Sequence, residues 1–312
     1  MKELEFPTAW PVARYRFLFS VERPIHLPDY AGSAIRGAFG RALRHAACMT
    51  REPSCPDCPL YSSCPYSNIF EAPAPSTHPL QRFSRVPNPY IIEAPEDGRR
   101  TLASGDELSF NVVLFGRALH HLALVIFAMQ RAFARNVAQG SAALREVRFV
   151  AAEEGECCIY SADDPHIRPH EASLRIPAFE KPRDMKIALK TQLRLQHNGK
   201  AYGPKDIEAP EFMIALIRRA SLMREFHAER FDFDFSRLKA AAAEVKSEKK
   251  LEWHNWRRYS TRQQQGMYLG GVVGEWIFKE VPPEIQPFVY LGQWLHVGKN
   301  ATFGLGRYVL IG

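Results

Sequence analysis

Two periodicities in succession constrain this chain more than any other feature. From Val12 to Val21 apolar and aromatic residues alternate with polar ones, placing Tyr15, Phe17, Phe19 and Val21 on one face of a half-buried strand. After a proline-containing loop, Pro24 to Asp29, the period becomes helical. Ser33 is placed to cap that helix, and Ile35, Ala38, Phe39, Ala42, Leu43 and Ala46 form its buried stripe. Arg41, Arg44 and His45 share its polar face. Residues 48–98 are rich in Cys, Pro and Ser and read as an irregular insertion. A strand over Leu108–Phe115, a strongly apolar helix over about Leu119–Ala134 and a strand over Arg145–Ala152 follow. Strand, helix, insertion, strand, helix, strand is the order a ferredoxin-like unit requires.

The second half repeats this logic after a connection, Pro165 to Pro182. A strand over Met185–Leu195 ends at His197-Asn198-Gly199-Lys200, whose Asn-Gly pair signals a hairpin. In the helix expected over Pro210–Arg230, Met213, Ile214, Ile217, Ala220, Leu222 and Met223 face inward, and Arg218, Arg219, Arg224 and Arg230 face solvent. The lysine-rich stretch Lys239–Lys250 reads as a solvated helix face, with a grip on RNA as the alternative. Strands over Leu251–Tyr259 and Gly266–Phe278, a helix over Pro283–Leu295 and a last strand over Arg307–Ile311 complete two α+β halves of similar size.

Charge and cysteine usage narrow the function classes. Lys and Arg total 41 against 34 Asp and Glu, a formal charge of +7 that favours an anionic partner. The longest apolar run, Leu122–Met129, falls well short of the roughly 20 residues of a membrane span. The start Met1-Lys2-Glu3-Leu4-Glu5 lacks the basic-then-apolar order of a secretion signal, so a cytoplasmic location is expected. There cysteines serve as metal ligands or free thiols rather than disulfides. Cys48, Cys55, Cys58 and Cys64 fall within seventeen positions and match the tetrahedral thiolate set of structural zinc. An iron–sulfur cluster, or no metal, stays open on spacing alone. Such a closed set leaves no position for catalysis. Cys157 and Cys158 read as ordinary buried thiols.

Near the C-terminus, Gly298-Lys299-Asn300-Ala301-Thr302-Phe303-Gly304-Leu305-Gly306-Arg307-Tyr308 reads as a Gly-rich loop feeding the last strand. Gly298, Gly304 and Gly306 permit positive φ and would bring amides close to a ligand, with Lys299 and Arg307 adding charge. The spacing suits phosphate but matches neither the dinucleotide nor the Walker loop. In Trp253-His254-Asn255-Trp256-Arg257-Arg258-Tyr259-Ser260-Thr261-Arg262-Gln263, aromatic residues alternate with cationic ones. That mixture suits RNA stacking and phosphate contact, or equally an amphipathic strand with a basic solvated face. Of the 11 histidines, His120 and His121 read as structural in the apolar helix, while His26, His45 and His296 lie near functional segments. Serine-hydrolase, helical zinc-protease and nucleotide-loop motifs are absent.

Together these segments resemble the CRISPR-associated endoribonucleases that process precursor CRISPR RNA, members of the RAMP superfamily. The resemblance rests on Thr191-Gln192-Leu193-Arg194-Leu195, Leu216–Leu222, Arg258–Gln263, Met267–Gly274 and His296–Gly306, on Gly32–Gly40 near the N-terminus, and on the cysteine cluster running into Phe70-Glu71. It implies two tandem ferredoxin-like (RRM-like) domains, 1–165 with the Cys-rich insertion 48–98 and 166–312 with the Gly-rich loop. It also implies that a basic face binds CRISPR repeat RNA and that the chain cuts it without a catalytic metal, leaving a 2′,3′-cyclic phosphate. His45, with Arg41 one turn away, is the implied catalytic histidine, and His26 is the second choice. Lys299, Arg307, Arg258 and Arg257, with the loop glycines, are the implied phosphate contacts, and Tyr259 and Trp253 the stacking residues. The mature crRNA and other subunits of an effector complex are expected partners, and a membrane is not. The competing expectation is a non-catalytic RNA-binding RAMP subunit.

Overall fold

The computed structural model describes residues 6–73, 86–152, 155–255, 257–260 and 265–311. It forms two compact units, one of residues 11–174 with 222–229, the other of residues 1–10, 175–221 and 230–312.

In the first unit the expected order is realised. Strand β1 (Val12–Arg23) leads through a short strand β2 (Ile25–Leu27) into helix α1 (Gly32–Ala47). A short helix α2 (Pro65–Phe70), strands β3 (Tyr90–Glu93), β4 (Arg100–Leu102) and β5 (Glu107–Phe115), helix α3 (Leu122–Arg135) and strands β6 (Ser141–Val150) and β7 (Glu156–Ser161) follow. The sheet is antiparallel in the order β3-β5-β1-β6-β7, a ferredoxin-like core with one added edge strand. Tyr15, Phe17, Phe19 and Val21 of β1 are buried as their alternation predicts, and Phe133 of α3 stacks 4.2 Å from Phe19. Gly40 of α1 admits the Phe70 ring, since a Cβ there would lie 2.2 Å from it.

Several local expectations for this unit need correction. Helix α1 starts one residue before Ser33, with Ala31 at the cap position and no side-chain cap, so Ser33 is not the N-cap. Ala46 is exposed, because the stripe runs off the packed face as the helix leaves the core. His26 lies in β2, opposite Thr101 of β4, rather than in a loop. The apolar helix begins later, at Leu122, after a 3-10 turn (Gly116–His121) that holds His120 and His121. Cys157 is exposed and Cys158 half-buried on β7, which among the described residues is an edge strand of the sheet.

The second unit runs β8 (Arg183–Leu193), α4 (Ala209–His227, whose end from Leu222 on belongs to the first unit), α5 (Phe235–Ala243), β9 (Lys246–His254), β10 (Arg257–Ser260), β11 (Gln265–Tyr268), β12 (Gly271–Val281), α6 (Gln286–Leu295) and β13 (Tyr308–Leu310). Its four-stranded antiparallel sheet has the order β9-β12-β8-β13, again ferredoxin-like, while among the described residues β10 and β11 pair only with each other. Phe212 of α4 packs on Trp276, Phe278 and Tyr308, and the Tyr308 hydroxyl donates to the Val289 carbonyl of α6 at 2.6 Å, so both helices cover one face. Lys186, Ala188, Glu275 and Ile277, exposed or half-buried, face the other way.

Here too the sequence misplaced details. The lysine-rich stretch is split between α5 and the edge strand β9, so Lys246, Lys249 and Lys250 lie on a strand. The single strands expected over Leu251–Tyr259 and Gly266–Phe278 are each broken, and the last helix starts at Gln286. Arg218 is exposed as expected, but Arg219 is half-buried with Nη2 enclosed, and Arg224 is buried. Ile214 and Leu222 are only half-buried. Both faces of α4 are covered to some extent, and a helical period cannot reveal a second covered face.

Candidate nucleic-acid interface

In the second unit the Gly-rich segment closes on the end of β8. Thr191, buried, donates from its hydroxyl to the Gly304 carbonyl at 2.7 Å and accepts from the Arg307 amide at 2.9 Å. The Gly306 amide donates to the Gln192 carbonyl at 3.0 Å, and the Lys299 amide to the Arg194 carbonyl at 2.9 Å. The Val297 amide closes the loop on the Gly306 carbonyl at 3.2 Å. Gly306 has φ +70°, and a Cβ on it would sit 1.8 Å from the Val297 carbonyl oxygen. Only glycine lets the chain double back this tightly.

This bonding corrects one expectation. The amides of residues 297, 299, 303, 304, 306 and 307 donate inside the protein rather than to a ligand. Buried amides must be bonded, and the nearest acceptors are β8 and the loop itself. Those amides are not left for a ligand; of the segment's two cations, Lys299 is exposed and Arg307 half-buried. His296 is fully buried, with φ +52° and Nδ1 3.2 Å from the Leu305 carbonyl, and serves the loop.

The end of β9 lies beside this loop. Trp253 is 38% exposed, and its indole donates to Asn255 Oδ1 at 2.7 Å. Gly270 admits that indole, and the Gly270 carbonyl accepts from Arg194 Nη1 at 2.7 Å. Trp253 is thus held with surface available for stacking. Arg257, Arg258 and Tyr259 fall on β10, paired through its backbone with β11 from Arg257↔Tyr268 to Ser260↔Gln265. Trp256 and Thr261-Arg262-Gln263 of the same segment lie outside the described residues.

Some residues of this region were not singled out from the sequence. Buried Gln192 places Nε2 2.7 Å from Nδ1 of exposed His254. Arg219 Nε donates to the Leu295 carbonyl at 3.2 Å, at the carbonyl end of α6, where a cation is favourable. Burial pushes the Arg219 guanidinium down to about 10. It supports the loop's entry from within. The stretch Thr191–Arg194 carried a signal for the first pair, but nothing local marked Arg219 as inward.

In the first unit, Arg41 and His45 are exposed one turn apart on α1. Arg44 leaves that set, its Nη2 donating to the Glu52 carbonyl at 2.6 Å and the Pro53 carbonyl at 3.1 Å. His26 is exposed, with Nδ1 3.0 Å from Thr101 Oγ1. Cys48, Cys55, Cys58 and Cys64 line one cavity of about 20 Å³ between the end of α1 and the start of α2. The Arg51 amide donates to Cys48 Sγ at 3.3 Å, and Thr50 Oγ1 lies 3.2 Å from Cys58 Sγ. Burial raises the Cys55 thiol, offset in part by Arg44 and reinforced by Glu71, Cys48 and Cys64. The donor chemistry and the outer hydrogen bonds fit a thiolate-bound ion. Among the described residues, however, no three His, Cys, Asp or Glu side chains are drawn together as a coordination shell. No described helix is long and apolar enough to cross a membrane.

Residues 9–172 match the AF_1859_N family model, an N-terminal domain, and residues 187–308 match the model of the CRISPR-associated endoribonuclease Cas6. No curated protein matches the chain. Among solved structures it is similar to a partial Cas6-RT-Cas1–Cas2 complex, at 15% identity and a TM-score of 0.56, over 96% of this chain and 46% of that one. It is similar to a Cas6 (TTHB231) product complex at 14% identity and a TM-score of 0.58, over 96% of this chain and 99% of that one. Thermus thermophilus Cas6 (TTHB231) gives 13% identity and a TM-score of 0.54, over 98% of this chain and all of that one. The chain thus spans less than half of the RT-containing chain and nearly the whole of the stand-alone one. At these identities the likeness shows a shared fold.

Proposed function

We propose that this chain, whose residues 187–308 match the model of the CRISPR-associated endoribonuclease Cas6, binds CRISPR repeat RNA and cuts it by attack of a ribose 2′-hydroxyl on the adjacent phosphate. The products are a 2′,3′-cyclic phosphate and a 5′-hydroxyl. The attacking oxygen loses a proton, the leaving oxygen gains one, and the phosphorane needs a cation. His45, exposed on α1, is the proposed proton-transfer group, with Arg41 one turn away for charge and His26 as the second choice. Lys299, Arg307, Arg257 and Arg258 take phosphates, and Trp253 and Tyr259 take bases. Gly298, Gly304 and Gly306 shape the loop that presents Lys299. No catalytic metal enters this scheme. The four cysteines would hold zinc as a staple for a proline-rich insertion, with an iron–sulfur cluster as the lesser alternative. After cleavage the product remains bound, and other effector subunits are the proposed further partners.

One observation carries this reading: the segment matching the Cas6 model contains both the Gly-rich loop bonded to β8 and the exposed Lys299 and Trp253. The test is incubation with labelled repeat RNA in EDTA, followed by end-group analysis and a control carrying 2′-deoxyribose at the cut. A single cut ending in a cyclic phosphate, abolished by the deoxy substitution, is expected. Tight binding of several repeats without any cut would replace the enzyme with the RNA-binding RAMP subunit.

A further inference from the structure

We propose that His254 is a further catalytic residue, the proton donor to the leaving 5′-oxygen of RNA held by the C-terminal unit; this rests on the endoribonuclease reading above. Several observations converge on it. His254 is exposed at the end of β9, yet its Nδ1 is engaged at 2.7 Å by the side-chain amide of Gln192. Gln192 is 6% exposed, and its carbonyl accepts the Gly306 amide, so the histidine's partner is bonded directly to the Gly-rich loop. An amide presents a donor or, turned over, an acceptor, so it meets Nδ1 in either protonation state. Nε2 is then the ring atom left to a ligand. A surface histidine without a role would not need a buried partner.

The surroundings suit a phosphate. On β8, Met185, Ile187, Leu189 and Leu193 are buried, and the alternate position Lys190 is exposed with no ion pair among the described residues. Arg194 carries the amide of Lys299 on its carbonyl, placing that exposed lysine two residues along from the Gln192 contact. Glu252, exposed on β9, is the nearby carboxylate in sequence. The exposed cations Lys190 and Lys299 outnumber it.

In the proposed step His254 is protonated on both nitrogens, with Nδ1–H donating to Gln192 Oε1. The 2′-oxygen bonds to phosphorus as its proton passes to solvent water. The P–O5′ bond breaks with its electron pair moving to O5′, which takes the Nε2 proton. His254 is left neutral and is reprotonated from solvent.

The test compares wild type, His254→Ala and His254→Gln in single-turnover cleavage, RNA affinity and thermal melting. Each is assayed on a repeat with an ordinary scissile phosphate and on one with sulfur replacing the bridging 5′-oxygen, whose leaving group needs no proton. The variants are expected to melt like wild type, bind within about threefold, and cut the oxygen substrate at least about 100-fold more slowly. They should recover most of that rate on the sulfur substrate. Undiminished cleavage by the variants, or an equal loss on both substrates, overturns the proposal while leaving the endoribonuclease standing. A wild-type protein that binds the repeat and cuts neither substrate overturns the endoribonuclease reading, and this proposal with it.

Discussion

The tightest prediction concerns Gly306→Ala. Alanine at φ +70° costs about 1–2 kcal/mol in backbone strain alone. Its Cβ would also start 1.8 Å from the Val297 carbonyl oxygen, which must retreat beyond 3.0 Å. That oxygen is backbone in a buried loop, so the retreat separates residues joined by the Val297-to-Gly306 bond of 3.2 Å and disturbs the Gly306-to-Gln192 bond of 3.0 Å. Each buried backbone bond weakened costs about 1 kcal/mol or more. The total is about 3–5 kcal/mol, or a melting temperature lowered by about 5–8 °C for a protein of this size. Gly199→Ala is the matched control, because Gly199 has φ +79° but nothing within 4 Å of the added carbon. It should lose only the strain, about 1–2 kcal/mol. Urea unfolding of the two variants isolates the collision, and repeat-RNA affinity measured well below the transition reports whether Lys299 has moved. If Gly306→Ala loses no more stability than Gly199→Ala, the loop is not closed on β8 as described.

Other expectations follow from the same geometry. Lys299→Ala should weaken repeat binding and reduce the magnitude of the slope of log affinity against log salt by about 0.7 for a single-stranded contact, checked by filter binding from low to moderate salt. Asp184 accepts from the Glu280 amide and from Lys279, first the amide and then the lysine holding its carboxyl below the usual range. Its contribution is therefore fully present above the ordinary carboxylate pKa of about 4 and lost as pH falls through the depressed value. The stability difference between wild type and Asp184→Ala should be constant near neutrality and close at strongly acidic pH. Metal analysis of purified protein should find one zinc per chain, absent in a Cys55→Ser, Cys58→Ser double variant, and chelation should lower the melting temperature. A metal-free protein with unchanged melting would remove zinc from the account.

Both ferredoxin-like sheets were legible in the order of periodicities, because alternation such as Tyr15-Phe17-Phe19 has one physical solution. The Gly-rich loop was legible as a loop, since its glycines occupy positive φ. What its amides do was not, because the acceptors of three of them, Thr191, Gln192 and Arg194, lie more than a hundred residues earlier. The exposed His45, Arg41 and Lys299 agree with a surface role that sequence could only suggest by type. Arg219 was misread because a helical period shows which positions share a face, not whether a second face meets protein. His254 was read only as one member of the aromatic and basic segment, because its partner Gln192 is 62 residues away and strand pairing through β12 brings them together.

The misassigned lysine-rich stretch has a consequence of its own. As β9 it forms one margin of its sheet, with β12 as its neighbour and no second strand among the described residues. Such a margin offers an open row of backbone groups onto which another chain's strand could add. Lys246, Glu248, Lys250 and Glu252 fall at alternate positions along it. An incoming strand would have to strip water from charges of both signs and match their order. The same residues that obscured the strand in the sequence thus weigh against strand-to-strand stacking of copies, and replacing them with threonine or valine should raise aggregation, measured by light scattering.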